Sequence, residues 1–126
     1  MTKFFLIFAS ISGSFAVIAG AFGAHALKNQ LSASLLSAYE TAVQYQFIHT
    51  LALLALGVLL LKRENVSRAF TIAGVSWIIG IVLFCGSLYA LALGGPRWLG
   101  PVTPLGGLFF IVAWFSFALA CWQIKQ

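Results

Sequence analysis

Four long runs of apolar residues follow one another along the chain, separated by short polar breaks. The first extends from Phe4 to about Ala24, the second from about Thr41 to Leu61, the third from Ala69 to Leu93 and the fourth from Leu105 to about Trp122. Each is close to the roughly 20 residues that cross about 30 Å of hydrocarbon as a helix. The breaks are a polar stretch from Lys28 to Ser37, a charged turn from Lys62 to Arg68, and a loop from Gly94 to Pro104 with three prolines and three glycines. The Lys62–Arg68 turn is too short for anything but antiparallel neighbours, so the second and third helices form a hairpin. The pattern predicts an all-α membrane protein: a four-transmembrane-helix antiparallel bundle, with residues 1–126 as one domain.

Composition points the same way. The chain is 62% hydrophobic and 7% charged, whereas an average soluble domain is about 45–50% apolar and about 25% charged. Its mean hydropathy is +1.05. So few charges do not cover the surface of a small soluble protein. The net charge of +5 does not indicate nucleic acid as a partner, because the basic residues form no stripe that would neutralise phosphates. They stand singly at the ends of apolar runs, where they meet lipid head groups.

Their distribution orients the chain. Lys3, Lys62, Arg63, Arg68 and Lys125 fall on one side, and Lys28 and Arg97 on the other. The excess of Lys and Arg in short cytoplasmic segments then places both termini in the cytoplasm. Lys3, the first apolar run and Ala24-His25-Ala26 also resemble a secretory signal. The run is longer than a signal core of 7–15 residues, and it is read as a retained span.

Hydrocarbon burial does not drive helix association inside a bilayer, so small residues and interhelical hydrogen bonds must do so. Ser12, Ala16, Ala19 and Gly23 form one small stripe on the first span, and Gly13, Ala16, Gly20 and Ala24 an overlapping one. Ser76, Gly80 and Ser87 recur in the third span, with Gly74 and Gly86 nearby, and the fourth opens with Gly106-Gly107. These are read as packing positions.

The second span carries most of the polar residues. Ser37 and Glu40 fit a helix-start capping box. Glu40 has Gln44 one turn on, and Gln46 has His49 and Thr50 at three and four residues. His49 is an ionisable group inside a span, which by default is a functional candidate. The alternative is a neutral ring in an interhelical hydrogen bond, with Gln46, Thr50 or Cys85 as partner.

Several chemistries are disfavoured. His25 and His49 differ in depth by well over 10 Å, too much for one flat haem. Cys85 and Cys121 are separated by roughly 20 Å along the bilayer normal, whereas a disulfide needs Cα atoms within about 7 Å. No Cys/His cluster has zinc-ligand spacing. There is no Asp, and no nucleophile–base–orienter set, so neither catalytic residues nor a cofactor or metal is expected. The face opposite the termini is the candidate functional surface. His25, Lys28, Tyr39, Glu40, Gln44, Arg97, Trp98 and Thr103 gather there, and a Glu40–Arg97 or Glu40–His25 contact would close that end.

Motifs spread across nearly the whole chain resemble the YgdD/YwdK family of small bacterial inner-membrane proteins, which has a related animal mitochondrial membrane protein. They are Gly20-Ala21-Phe22-Gly23-Ala24-His25-Ala26-Leu27, Tyr45-Gln46 with His49, Gly86-Ser87-Leu88-Tyr89, and Thr103-Pro104-Leu105-Gly106-Gly107 with Trp114. The resemblance implies a four-helix inner-membrane protein. It implies no activity, because the family is one of unknown function. It adds weight to His25, Gln46, His49, Tyr89, Thr103 and Pro104.

Three readings of function follow. The first is a non-enzymatic accessory, assembly or structural component that packs against membrane lipids and a larger complex or its own copies. The second is a small proton-coupled transporter or channel using His49 and Glu40. It lacks the first-span glutamate of the small multidrug exporters that it resembles in size. The third is a lipid or quinone binder in a cleft between Trp98 and the second helix.

Overall fold

The structure is a computed structural model that describes residues 1–124. Lys125, counted above among the charges that orient the chain, lies outside the described residues. Four helices, α1 (Thr2–Leu27), α2 (Ala33–Leu60), α3 (Arg68–Ala92) and α4 (Val102–Trp122), are each long and apolar enough to cross a membrane. A short 3₁₀ turn, Arg97–Leu99, leads into α4. Two helices widen locally: α1 ends in a π-helical turn, Gly23–Leu27, and α3 is interrupted by another, Ile81–Cys85.

The start of α2 departs from expectation. It begins at Ala33, about two turns before Thr41. Ser32 caps it, its hydroxyl accepting from the Leu35 N–H at 3.3 Å. Ser37 and Glu40 therefore lie inside the helix and form no capping box; the Ser37 carbonyl instead accepts from the Thr41 hydroxyl at 2.9 Å. Ala33, Leu35, Leu36 and Ala38 are good helix formers, so the helix continues past the point where the chain turns polar. Polarity here marks the limit of the apolar zone, not the limit of the helix.

The connections are tight. Ser67 caps α3 by accepting from the Phe70 N–H at 3.4 Å, and the Arg63 guanidinium lies 5.4 Å from the centre of the Phe70 ring. At the far end of α3, Gly94 takes a φ of +92°. Its N–H donates to Leu91 O at 3.3 Å, and that of Gly95 to Ala90 O at 2.7 Å. This is the paired Schellman closure, which uses glycine at the left-handed position.

The bundle is diamond-shaped in section. α2 and α3 form its short diagonal, α1 packs chiefly on α2, and α4 chiefly on α3. α2 and α3 are accordingly the more buried pair. Trp77, Phe5, Phe70, Leu53, Leu56 and Leu60 fill the centre. Glycines let aromatic rings in: a Cβ at Gly74 would overlap the Phe5 ring, one at Gly80 the Phe110 ring, one at Gly23 the Tyr39 ring, and one at Gly106 the backbone of Phe84. Ala16 is fully buried. The other packing candidates are looser. A Cβ at Gly13, Gly20 or Gly107 would meet its nearest neighbour at 3.6, 3.4 and 3.8 Å, ordinary van der Waals contact. Gly57, which the stripes did not point to, accommodates Leu6.

Candidate functional site

α2 is polar on two adjoining stripes, and each looks into a different part of the bundle. Gln46 and Thr50, one turn apart, face α1 and α3. The Ser12 and Thr50 hydroxyls are 2.7 Å apart. The Gln46 amide nitrogen donates to the Ser12 carbonyl at 3.0 Å and to its hydroxyl at 3.2 Å, and Gln46 Oε1 accepts from the Tyr89 hydroxyl at 2.7 Å. A carbonyl only accepts, so the first bond fixes the amide orientation. Gln46, Thr50 and Ser12 are all buried. About two turns nearer the loop end, the Tyr39 hydroxyl donates to Ala19 O at 2.6 Å. Together these form a seam joining α1, α2 and α3. Each such bond between helices in a membrane contributes about 0.6 kcal/mol on average and about 1–2 kcal/mol at best.

A second, smaller link joins α3 to α4. Ser87 Oγ donates to Phe84 O at 3.1 Å and lies 2.6 Å from Thr103 Oγ1. A hydroxyl has one proton, so Thr103 donates to Ser87. Thr103 thus ties the start of α4 to α3 and does not stand free at the surface.

Tyr45 and His49, also one turn apart, form the other stripe and face α4. None of the three partners anticipated for His49 is used, because Gln46 and Thr50 turn toward α1. His49 Nδ1 instead lies 2.7 Å from Tyr45 O, which requires Nδ1 to carry the proton. The imidazole stacks on Phe110 with centroids 3.6 Å apart and planes 7° apart, and Trp114 meets it edge-on at 6.1 Å. Tyr45 stacks on Phe84 at 4.6 Å. These rings line a groove of about 430 Å³ that runs between α2 and α4 past Pro104 and Gly107.

The remaining candidates are scattered over the end opposite the termini. His25, Glu40, Gln44 and Arg97 are exposed, and Glu40 forms an ion pair with neither His25 nor Arg97 among the described residues. Glu40 and Gln44 border a pocket of about 210 Å³ against Gly20, Gly23 and Tyr39 of α1 and α2. Trp98 is 69% exposed and lines none of the three principal pockets. Glu40 and His49 are nine positions apart, which at 100° per residue puts them on opposite sides of α2.

Three contributors escape a reading of the sequence. Phe84 and Phe110 look like space-filling rings until the register of α3 and α4 sets them beside Tyr45 and His49. Trp77 does carry a signal, since it sits near the middle of its span, away from the interfaces where Trp usually lies. Its indole N–H is buried without an oxygen or nitrogen acceptor, and the centre of its ring lies 5.1 and 5.5 Å from those of Trp114 and Phe117.

Comparison with known proteins places this arrangement in a family. The family described as "Protein of unknown function (DUF423)" matches residues 19–107. The chain belongs to it. Within the DUF423 family it is 42% identical over 124 residues to a UPF0382 membrane protein, SSP2132, of Staphylococcus saprophyticus, covering 97% of this chain and 99% of the relative. It is 39% identical to a UPF0382 membrane protein of Haemophilus influenzae over 126 residues, 100% and 99% of the two chains. The UPF0382 inner membrane protein YgdD of Escherichia coli K12 is 41% identical over 125 residues, 99% and 94% of the two chains. The match with the relatives takes in all four helices, so the seam, the Ser87–Thr103 link and the groove all fall within it. No solved structure matches the chain.

Proposed function

We propose that this DUF423 protein is a multi-pass component of the bacterial inner membrane, with both termini cytoplasmic, that acts as a non-enzymatic accessory or assembly element for a membrane complex. The observation that carries the reading is the closed polar interior. Ser12, Gln46, Thr50, Tyr89, Ser87 and Thr103 spend their hydrogen bonds on one another, which makes a pre-formed bundle with broad apolar outer faces. Four relatives' names describe inner-membrane proteins. Lys3, Lys62, Arg63 and Arg68 at the end that bears the termini, against Lys28 and Arg97 at the other, support the orientation.

Proton-coupled transport has less support. Glu40 and His49 open on opposite sides of α2, toward α1 and toward α4, and the bonds of the seam lie between them.

The accessory reading is tested by placing a photo-crosslinking residue at Phe15 on α1 or Phe115 on α4, both exposed, in cells. A discrete adduct with one identifiable membrane protein, which also co-purifies in mild detergent, is the expected result. A chain that runs alone in mild detergent and crosslinks only to lipid ends the reading.

A further inference from the structure

We infer that the groove between α2 and α4 is a binding site for a lipid-soluble hydroquinone: a flat aromatic ring that bears hydroxyl groups and an apolar tail. The inference starts from His49. The residue is only 5% exposed, and its Nδ1 proton is committed to Tyr45 O. In the neutral ring Nε2 then holds a lone pair and acts as an acceptor. It makes no hydrogen bond among the described residues. Unlike the Trp77 nitrogen it is not sealed from the surface, and His49 lines the groove. Tyr45 lines the same groove, and its hydroxyl makes no hydrogen bond among the described residues. The rings of Tyr45 and His49 are 5.7 Å apart, so the groove offers a ligand hydroxyl group an acceptor at Nε2 and a donor at Tyr45.

Depth and shape select the ligand. His49 lies roughly 24 Å from the Ala33 end of α2 and roughly 17 Å from its Leu60 end, well below the level of phospholipid head groups. The lining carries no Lys or Arg to receive a phosphate. An apolar helix from a second copy would cover the groove yet leave both polar groups unpaired in hydrocarbon, which is unfavourable. A hydroxyl on an apolar ring satisfies them, and the aromatic lining of Tyr45, Phe84, Phe110 and Trp114 gives such a ring apolar and edge-to-face contact. Gly107 borders the groove, and a Cβ there would reach nothing closer than 3.8 Å. The bundle therefore does not need this glycine for its own packing, and the space beside it is available to a ligand. Binding of this kind is independent of any partner that the outer faces engage.

The test uses the full chain in phospholipid nanodiscs under reducing, anaerobic conditions, with decyl-hydroquinone as the probe. Tryptophan quenching reads affinity, and ¹⁵N spectra of labelled histidine read the site. The hydroquinone should bind saturably and shift the His49 Nε2 resonance while leaving His25 unmoved. Its di-O-methyl ether, which keeps the ring and tail but donates no hydrogen bond, should bind about tenfold more weakly. Gly107→Leu, which fills the groove from a helical position with room for a side chain, should also weaken binding by about tenfold or more. Absence of saturable binding, equal binding of the ether, unchanged binding in a folded Gly107→Leu variant, or a shift at His25 alone would each overturn the assignment. The ether comparison needs no variant, so it decides even where Gly107→Leu does not fold.

Discussion

Gln46 shows how a polar side chain becomes tolerable inside a span. Its amide donates twice to Ser12 and accepts from Tyr89, so one side chain joins three helices. Removing one partner strands the others in an apolar interior, where an unmet donor or acceptor costs more than the bond contributed. Gln46→Leu is expected to destabilise the bundle by about 1–2 kcal/mol, and the Gln46→Leu/Tyr89→Phe cycle to show a coupling of about 0.6–1.7 kcal/mol. Reversible unfolding in bicelles measures both; a coupling near zero removes the seam as a stabilising unit. His49 teaches a different lesson. Its polarity and depth are legible in the sequence, but its partners are not. The bond to Tyr45 is made within its own helix, and the stack on Phe110 depends on how far α4 has slid along α2, which no local pattern encodes.

At the scale of the element, length and apolarity identify the four spans, because each must satisfy its backbone internally while crossing hydrocarbon. What they leave undetermined is where a helix continues beyond the apolar zone, and hence the cap at Ser32 in place of Ser37. They also do not distinguish glycines that accommodate a neighbour from glycines that do not. Gly106 and Gly107 are adjacent and look equivalent in the sequence. A methyl group at Gly106 runs into the backbone of Phe84, which cannot step aside, whereas one at Gly107 meets only the edge of the Phe84 ring at ordinary distance. Gly106→Ala should therefore cost about 1–3 kcal/mol through overpacking. Gly107→Ala should be neutral, or stabilising by up to about 1 kcal/mol through helix propensity. The same unfolding assay ranks them; equal effects would show that α4 is not held against Phe84 as described.

For the molecule as a whole, the orientation proposed from the charges is open to direct measurement. With Cys85 and Cys121, both free thiols, replaced by Ser, single cysteines at Asn65 and Asn29 report opposite ends of the bundle. A membrane-impermeant maleimide added to intact spheroplasts should label Asn29→Cys and spare Asn65→Cys, and inside-out vesicles should give the converse. The reverse pattern would invert the topology. The same view separates the two exposed acid–base candidates from the groove. Glu40 and His25 belong to the surface opposite the termini, whereas the unpaired acceptor of His49 lies deep between helices. The polar residues that the sequence gathers near one surface thus part company: Tyr39 joins the seam, Thr103 ties α4 to Ser87, and His25, Glu40, Gln44 and Arg97 form an exposed rim.

The diamond section also bears on the order in which the chain comes together during synthesis. α1 finds its hydrogen-bond partners on α2, and Gln46 of α2 is completed by Tyr89 of α3, so the seam is complete once the first three helices have been made. α4 adds Phe110 to the notch at Gly80, Thr103 to Ser87 and a ring to His49. It is made after the other three and reaches them from the lipid side. Until then the imidazole and the Phe84 ring face the bilayer, and the final helix closes over a slot that lipid-soluble molecules have already been free to enter.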